Sequence, residues 1–114
     1  MLNKTFRLSN SRDIQTTSLR GRSFFSPYFI VKFIATSSSP RFTVIVSTKV
    51  SKRAVERNRI KRIVRESIRN SVRQFRNGDY VIIVKVRAAK KPPADIRENL
   101  EQLLTSTRLK AKSV

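Results

Sequence analysis

Basic side chains are concentrated between residues 49 and 76, where eleven Lys and Arg stand against only Glu56 and Glu66. A guanidinium group holds a phosphate in a planar fork, and an Asn amide can bond to a base edge or a sugar. Residues three and four apart share one face of a helix. Asn58 lies near the start of such a face, which continues through Arg62, Arg65, Arg69, Arg73 and Arg76. The segment is therefore predicted to bind a polyanion along one side of a helix.

Aromatic residues and one lysine indicate a second contact surface. A strand is predicted over residues 28–35, and Lys32 interrupts its apolar run, which implies that part of one sheet face is wet. A sheet face that mixes Lys with aromatic side chains can stack and clamp single-stranded nucleic acid. Alternation in a half-buried sheet would instead send many of the aromatic residues into the core. Both interpretations stay open for each aromatic residue.

The residues needed for most self-sufficient catalysis are missing from this chain. Its 114 residues include no Cys and no His, which excludes disulfides, thiolate nucleophiles, imidazole bases and zinc sites built on those ligands. The seven acids form no tight pair that resembles a metal site. The formal net charge of +19 favours a nucleic-acid partner. The composition thus indicates a polyanion-binding protein rather than an enzyme that acts alone.

The pattern of apolar residues does not favour a membrane partner. The longest uncharged apolar runs, residues 28–31 and 80–84, are far shorter than the roughly 20 residues of a spanning helix. No signal-peptide core follows the first residue. Residues 1–27 are basic and rich in Ser and Thr, so an organellar transit peptide is the alternative. We expect a cytoplasmic location, with which a chain without Cys agrees.

The first half of the chain is predicted to contain one helix and one hairpin. A short helix is capped near residues 9–10 and ends at Gly21. Residues 22–27 are predicted to form a loop. Residues 28–35 and 41–48 are both rich in β-branched and aromatic side chains, and the short connection between them predicts an antiparallel hairpin.

The second half is predicted to contain a long helix, a strand and a closing helix. Apolar residues recur every three or four positions over residues 54–76, and Asn77-Gly78 stops this helix. Residues 80–86 are almost continuously apolar, which is typical of a central strand. Asp95 lies at or near the start of the closing helix.

These elements predict one α+β domain over residues 1–114, with a frayed tail at residues 110–114. The element order is α-β-β-α-β-α, which we interpret as a sandwich with a small mixed sheet and a long basic helix. A strand, a long helix and another strand in succession indicate that a crossover connects the second and third strands.

Residues 52–66, which read KRAVERNRIKRIVRE, closely resemble the signature of the bacterial ribonuclease P protein subunit. The hallmark of that signature is an Arg-Asn-Arg core followed by Lys-Arg and a further Arg. The similarity extends over nearly the whole chain, to the first helix, the hairpin and the last strand of the family, at residues 7–8, 13–14, 28–31, 42–47 and 78–84. The resemblance implies the ribonuclease P protein fold, in which the crossover is left-handed.

The resemblance also implies a function. A member of this family joins a catalytic RNA in the ribonucleoprotein that removes 5′ leaders from precursor tRNA. Its expected partners are the ribonuclease P RNA subunit and precursor tRNA, with no further protein partner. The RNA subunit and its magnesium ions perform the hydrolysis, so we expect no catalytic residue, no metal ligand and no organic cofactor in the protein.

Two groups of residues carry the roles that the family assigns. The motif helix faces the RNA subunit, and the matching RNA-binding residues are Lys52, Arg53, Arg57, Asn58, Arg59, Lys61, Arg62, Arg65 and Arg69. A cleft between the first helix and the open sheet face holds the single-stranded leader. The residues that we assign to this leader cleft are Ile14, Phe24, Lys32 and Lys49.

The chain departs from the family pattern at two places. The family commonly has paired Lys and a Gly in the loop before the motif, where this chain reads Thr-Lys-Val-Ser at residues 48–51. The first helix of the family usually supplies aromatic residues to the leader cleft, whereas here it offers Ile14, Ser18 and Leu19. We therefore expect weaker leader stacking, or stacking by Phe24 or Phe25 from the following loop.

Two other hypotheses fit part of the pattern. A structural ribosomal protein would share the size and charge, but it would leave the cleavage of precursor tRNA unchanged. A protein nuclease that uses carboxylates and magnesium unaided would cleave RNA alone and would lose activity when Asp13 or Glu56 is replaced. The lack of an acidic cluster disfavours the nuclease.

Overall fold

The computed structural model describes residues 2–111, which form three helices and one four-stranded mixed sheet. The sheet order is β1-β2-β4-β3, antiparallel except for the parallel pair β3 and β4. This arrangement confirms the predicted α+β class, with its small mixed sheet and long basic helix. The elements are, in chain order, α1 (Ser11–Arg20), β1 (Arg22–Phe25), β2 (Phe29–Ala35), β3 (Arg41–Ile45), α2 (Ala54–Arg69), β4 (Gly78–Val84) and α3 (Pro93–Ser106).

The main core lies between one face of the sheet and the helices α2 and α3. Tyr80 of β4 is at its centre and is fully buried. Its ring packs against those of Phe33, Phe42 and Phe75, with centroid distances of 4.7 to 5.6 Å. The Tyr80 hydroxyl donates a hydrogen bond to the Arg76 carbonyl at 2.7 Å, so the one polar atom of this ring is satisfied. This core fixes the inner face of α2 and leaves its outer face in solvent.

Helix α1 lies across the opposite face of the sheet. As predicted, Asn10 caps the helix, because its Oδ1 accepts hydrogen bonds from the backbone N–H groups of Arg12 and Asp13 at 2.9 and 3.3 Å. The helix ends at Gly21, which is also as predicted. Thr17 is its one buried residue. Polar contacts and caps, rather than a wide apolar face, therefore hold α1 in place.

The predicted antiparallel hairpin of residues 28–35 and 41–48 is wrong, because β4 lies between β2 and β3. Six of the seven residues of β4 are buried. A central position removes the most apolar surface of this strand from water, so β4 displaces the local pairing. The predicted crossover is confirmed, since α2 joins the parallel strands β3 and β4. Its handedness stays a prediction.

A further strand replaces part of a predicted loop. Residues 22–25 form β1, which pairs antiparallel with β2 along its whole length, with Phe24 opposite Val31 and Phe25 opposite Ile30. Only the turn at residues 26–28 remains of the loop predicted over residues 22–27. The observed order is therefore α-β-β-β-α-β-α.

Helix α2 ends at Arg69, seven residues before the predicted end. Asn70 is its C-cap, and Ser71 leaves the helical region with a φ of −141°. Both residue types compete with helical hydrogen bonding through their own side chains. Arg73 and Arg76 consequently do not extend the arginine face of the helix, which was predicted to include them.

The predicted fraying of the tail does not apply to its first two residues. Lys110 is only 6% exposed and pairs with Phe75 in a short antiparallel bridge, and its ammonium forms an ion pair with Glu101. The backbone N–H of Ala111 donates to the Gln74 carbonyl at 2.9 Å. The rest of the predicted tail, residues 112–114, lies outside the described residues.

Candidate nucleic-acid interface

One face of α2 presents a polar stripe, which we define as Asn58, Arg62, Arg65 and Arg69. All four side chains are exposed, at steps of four, three and four residues. The inner face buries four branched residues, Ile60, Ile63, Val64 and Ile68. Because the core anchors that inner face, the stripe residues are held about one helical turn apart, roughly 5.4 Å along the axis. The α2 stripe is a rigid row of three guanidinium groups and one amide.

Arg57 and Arg59 lie on opposite flanks of the α2 stripe and are half-buried. The Arg57 Nη1 donates to the Ser51 carbonyl at 2.9 Å, which ties it to the loop before α2. Arg59 forms an ion pair with Glu56 at 3.0 Å, and its side chain is 38% exposed. The remaining predicted RNA-binding residues are Lys61 in α2 and Lys52 and Arg53 directly before it. All nine predicted RNA-binding residues thus lie in α2 or directly before it.

Two polar anchors hold α1 against the sheet. The Lys32 ammonium donates to the Ser18 carbonyl at 2.8 Å, where the last turn of α1 leaves carbonyl groups without helical partners. At the other end, Arg41 forms ion pairs with Asp79 at 2.9 Å and with Asp13 of α1 at 3.4 Å. The hydrogen bond to Asp79 raises the pKa of Arg41 above its ordinary value, which keeps this guanidinium charged. In this structure Lys32 therefore caps α1.

A row of apolar side chains crosses the same sheet face and is open to solvent. Its four members, which we call the apolar row, come one from each strand in cross-strand register: Phe25, Ile30, Ile83 and Ile45. Phe25 is 66% exposed and Ile45 is 38% exposed. Four neighbouring strands make this row about 14 Å wide. Such a platform offers apolar and aromatic surface to unstacked bases.

The structure brings together two of the four residues assigned to the leader cleft. Ile14 on α1 and Lys32 on β2 lie on the sheet face that carries the apolar row. Phe24 lies on the other face, where it packs against the core, so Phe25 and not Phe24 shares the face with Lys32. Lys49 is exposed in the turn before α2, and no hydrogen bond or ion pair within residues 2–111 links it to the other three.

Sequence reasoning missed three members of the apolar row, Ile30, Ile45 and Ile83. A signal existed for Ile30, because residues two apart in a strand share a face and Lys32 had already indicated a wet face. The other two belong to strands whose neighbours were predicted incorrectly. Their place in the row depends on the order and register of the sheet.

The acids of the protein do not fit a protein-held magnesium site. Within residues 2–111, no group of three or more His, Cys, Asp or Glu lies close enough to hold a metal ion. Asp13 and Asp79 do converge, but the Arg41 guanidinium lies between them and would repel a cation. Glu56 is engaged by Arg59. Among the same residues, no helix is both long and apolar enough to cross a membrane.

Comparison with known proteins gives relatives of one kind. A ribonuclease P protein component of Xanthomonas euvesicatoria is 45% identical over 65 residues, and this match spans 57% of the chain but only 45% of that relative. The component from Vibrio parahaemolyticus is 39% identical over 89 residues, or 75% of the chain and 74% of the relative. The RNase P protein of Staphylococcus aureus superposes with a TM-score of 0.86 at 26% identity, over 93% of the chain and 98% of that protein.

The match to a family model is wider than the two sequence matches. The ribonuclease P model covers residues 2–108, which include α1, the whole sheet, the α2 stripe and α3. Its span contains both surfaces described above. On this evidence the chain belongs to the ribonuclease P protein family.

Proposed function

We propose that this protein is the protein subunit of a ribonuclease P, a ribonucleoprotein endoribonuclease that removes the 5′ leader of precursor tRNA to give the mature 5′ end. Its partners are then the catalytic RNA subunit and precursor tRNA. The protein does not cleave by itself in this proposal. It binds and positions RNA, while the RNA subunit supplies the chemistry.

The observation that carries the proposal is the α2 stripe. Asn58 and three arginines project from a helix whose opposite face is anchored in the core. A row of guanidinium groups on one side of a rigid helix suits successive phosphates of a structured RNA. We assign this stripe, with its flanking residues Arg57, Arg59 and Lys61, to the RNA subunit. The loss of one arginine fork should cost about 1–3 kcal/mol of binding free energy.

The second surface is assigned to the leader. Phe25 and Ile30 offer a stacking platform, and Lys32 and Ile14 border it on the same sheet face. An extended single strand has unpaired bases that can stack there, whereas most bases of the folded tRNA body are already paired or stacked within the tRNA. Lys32 would exchange its contact with the Ser18 carbonyl for a leader phosphate.

Magnesium is proposed to be held mainly by the RNA subunit. Phosphate oxygens are suitable ligands for this ion, and the acids of the described residues are paired with Arg or Lys or are dispersed. By neutralising phosphates the protein would lower the repulsion between leader and catalytic RNA, and so raise the effective affinity for magnesium. We further propose a cytoplasmic location, which agrees with a chain that contains no Cys.

A cleavage assay at low magnesium concentration tests the proposal. A 5′-labelled precursor tRNA is incubated with the cognate ribonuclease P RNA alone, with the protein alone and with both. We expect accurate cleavage at the mature 5′ end only when both are present. A protein that is folded and still fails to stimulate its cognate RNA would contradict the proposal.

Two control measurements separate the alternatives. Cleavage by the protein without RNA that disappears in Asp13→Asn or Glu56→Gln would indicate a protein nuclease. Co-sedimentation with a ribosomal subunit, together with unchanged cleavage of precursor tRNA, would indicate a structural ribosomal protein.

A further inference from the structure

The connection between β4 and α3 carries four bases in seven residues, from Lys85 to Lys91, and no acid. It is an ordered segment: Ala88 is fully buried, the N–H of Ala88 donates to the Lys85 carbonyl, and the N–H of Lys91 donates to the Ala88 carbonyl at 3.2 Å. Arg87, Lys90 and Lys91 are exposed, and none of the ion pairs formed within residues 2–111 involves them. Like charges held close together without counter-charges destabilise a fold unless an anionic partner offsets them.

This connection lies beside the start of α2. Lys90 and Ala89 line one side of a groove of about 370 Å³, and Ser51 and Arg53 line the other. We call Arg53, Arg87, Lys90 and Lys91 the basic loop surface. Two segments far apart in sequence therefore bring cations to one place, which a solvated charge run within a single segment would not do.

The basic loop surface adjoins the flank of α2 that carries Arg59. The groove with Lys90 also contains Glu56 and Arg59, which are on one flank of α2. A separate groove with Arg65 contains Arg7 and Ile14, which lead to α1 and the sheet face of the apolar row. Arg65 of the α2 stripe lines this second groove, and Arg59 beside the stripe lines the first, so the basic loop surface extends the basic face of α2 along the Arg59 flank.

We propose that the basic loop surface binds the phosphodiester backbone of the RNA subunit, as a second contact beside the α2 stripe. The inference rests on the proposed function, because it takes the RNA subunit as the partner of α2. We assign the surface to this RNA and not to precursor tRNA, since Lys90 shares a groove with Arg53 and Arg59, which are assigned to the RNA subunit. Its contacts are to phosphates and are independent of base sequence.

Two residues provide a matched test that does not depend on destabilising the fold. Lys90 and Arg108 both have a φ of +62°, in the left-handed region that favours glycine. Both are exposed, and they lie just beyond opposite ends of α3, a helix about 20 Å long. Lys90→Gly and Arg108→Gly each remove one positive charge and relieve the same backbone strain. We expect equal or higher thermal stability for both variants.

Binding of the RNA subunit should distinguish the two variants. We expect Lys90→Gly to weaken binding about threefold to tenfold and to lower the slope of log K against log salt by about 1. Arg108→Gly removes one positive charge away from the proposed contact, so we expect a smaller change in both the affinity and the slope. A triple variant, R87A/K90G/K91A, should lower that slope by about 2 to 3. Equal effects of Lys90→Gly and Arg108→Gly would overturn the inference.

The result can be separated from the fate of the proposed function. If the parent protein does not bind the RNA subunit, the proposed function fails. If the parent binds and stimulates cleavage but Lys90→Gly binds like Arg108→Gly, only the basic loop surface is refuted. A variant that assembles normally with the RNA but loses affinity for precursor tRNA would assign the surface to tRNA and would also overturn the inference.

Discussion

Phe25 and Phe24 are neighbours in sequence but lie on opposite faces of β1, so replacing each by Ala separates leader binding from stability. Phe25 is 66% exposed on the sheet face that carries the apolar row, opposite Ile30. Phe24 packs against the core opposite Val31. We expect Phe25→Ala to weaken binding of the leader and Phe24→Ala to weaken the fold.

The expected magnitudes follow from these positions. A base stacked on an aromatic ring contributes about 1–3 kcal/mol. The dissociation constant for precursor tRNA should therefore rise about 5- to 150-fold in Phe25→Ala. Replacing a fully buried Phe by Ala lowers the free energy of unfolding by about 3–5 kcal/mol. The Phe25 side chain is only about one third buried, so Phe25→Ala should lower it by about 1 kcal/mol or less. Phe24→Ala should cost more, about 2 kcal/mol.

The assay compares substrates that differ only in the leader. Binding of the assembled ribonucleoprotein is measured for a precursor tRNA with a long single-stranded leader and for mature tRNA. Phe25→Ala should lower affinity for the first and leave the second unchanged. Phe25→Leu, which keeps an apolar side chain without an aromatic ring, should fall between the parent and Phe25→Ala.

Two outcomes would refute this reasoning. Equal losses for precursor and mature tRNA would show that Phe25 acts on assembly and not on the leader. A leader-specific loss in Phe24→Ala, with Phe25→Ala unchanged, would mean that the leader contacts the other side of β1. Unfolding by urea, monitored in the same preparations, keeps stability effects apart from binding effects.

Three further predictions concern charge and burial. The triple variant R62A/R65A/R69A should lower the salt slope of binding to the RNA subunit by about 2–3, measured by filter binding at several salt concentrations; an unchanged slope would remove the α2 stripe from the interface. Arg41→Met leaves the carboxylate of Asp79, whose side chain is 9% exposed, without its ion pair, and should lower the free energy of unfolding in urea by about 2 kcal/mol. Adding Asp79→Asn to Arg41→Met removes the unpaired charge and should recover part of this loss. If the double variant recovers none of it, the unpaired carboxylate is not the cause. Burial raises the pKa of Tyr80 above its usual value of 10.0, so the neutral phenol is favoured in the folded chain and the parent protein loses stability as pH rises above 10.0. At pH 8, Tyr80→Phe should be about 1 kcal/mol less stable than the parent, roughly the contribution of one hydrogen bond. The difference in unfolding free energy between parent and variant should shrink by pH 11, and an unchanged difference would contradict the raised pKa.

The elements that depend on near neighbours in the chain were accessible from the sequence. Apolar residues at steps of three and four predicted the buried face of α2, and the same spacing placed Asn58, Arg62, Arg65 and Arg69 together on the outside. Asn10 and Gly21 marked the ends of α1 correctly because capping acts within one turn of the helix. The end of α2 was missed although Asn70 and Ser71 gave a local signal for it, because Phe75 continues the apolar spacing of the helix. In the structure Phe75 lies outside the helix and packs against Tyr80, a tertiary contact.

The sheet required the tertiary structure. Local connection length favoured pairing of residues 28–35 with 41–48, but burial of β4 between β2 and β3 removes more apolar surface from water than a local hairpin does. Composition and periodicity thus determined a basic helix in an α+β domain and led to the prediction of a polyanion partner. Strand order and register decided which aromatic residue is open to a ligand. Side chains alternate between the faces of a strand, so a single step in register exchanges Phe24 and Phe25.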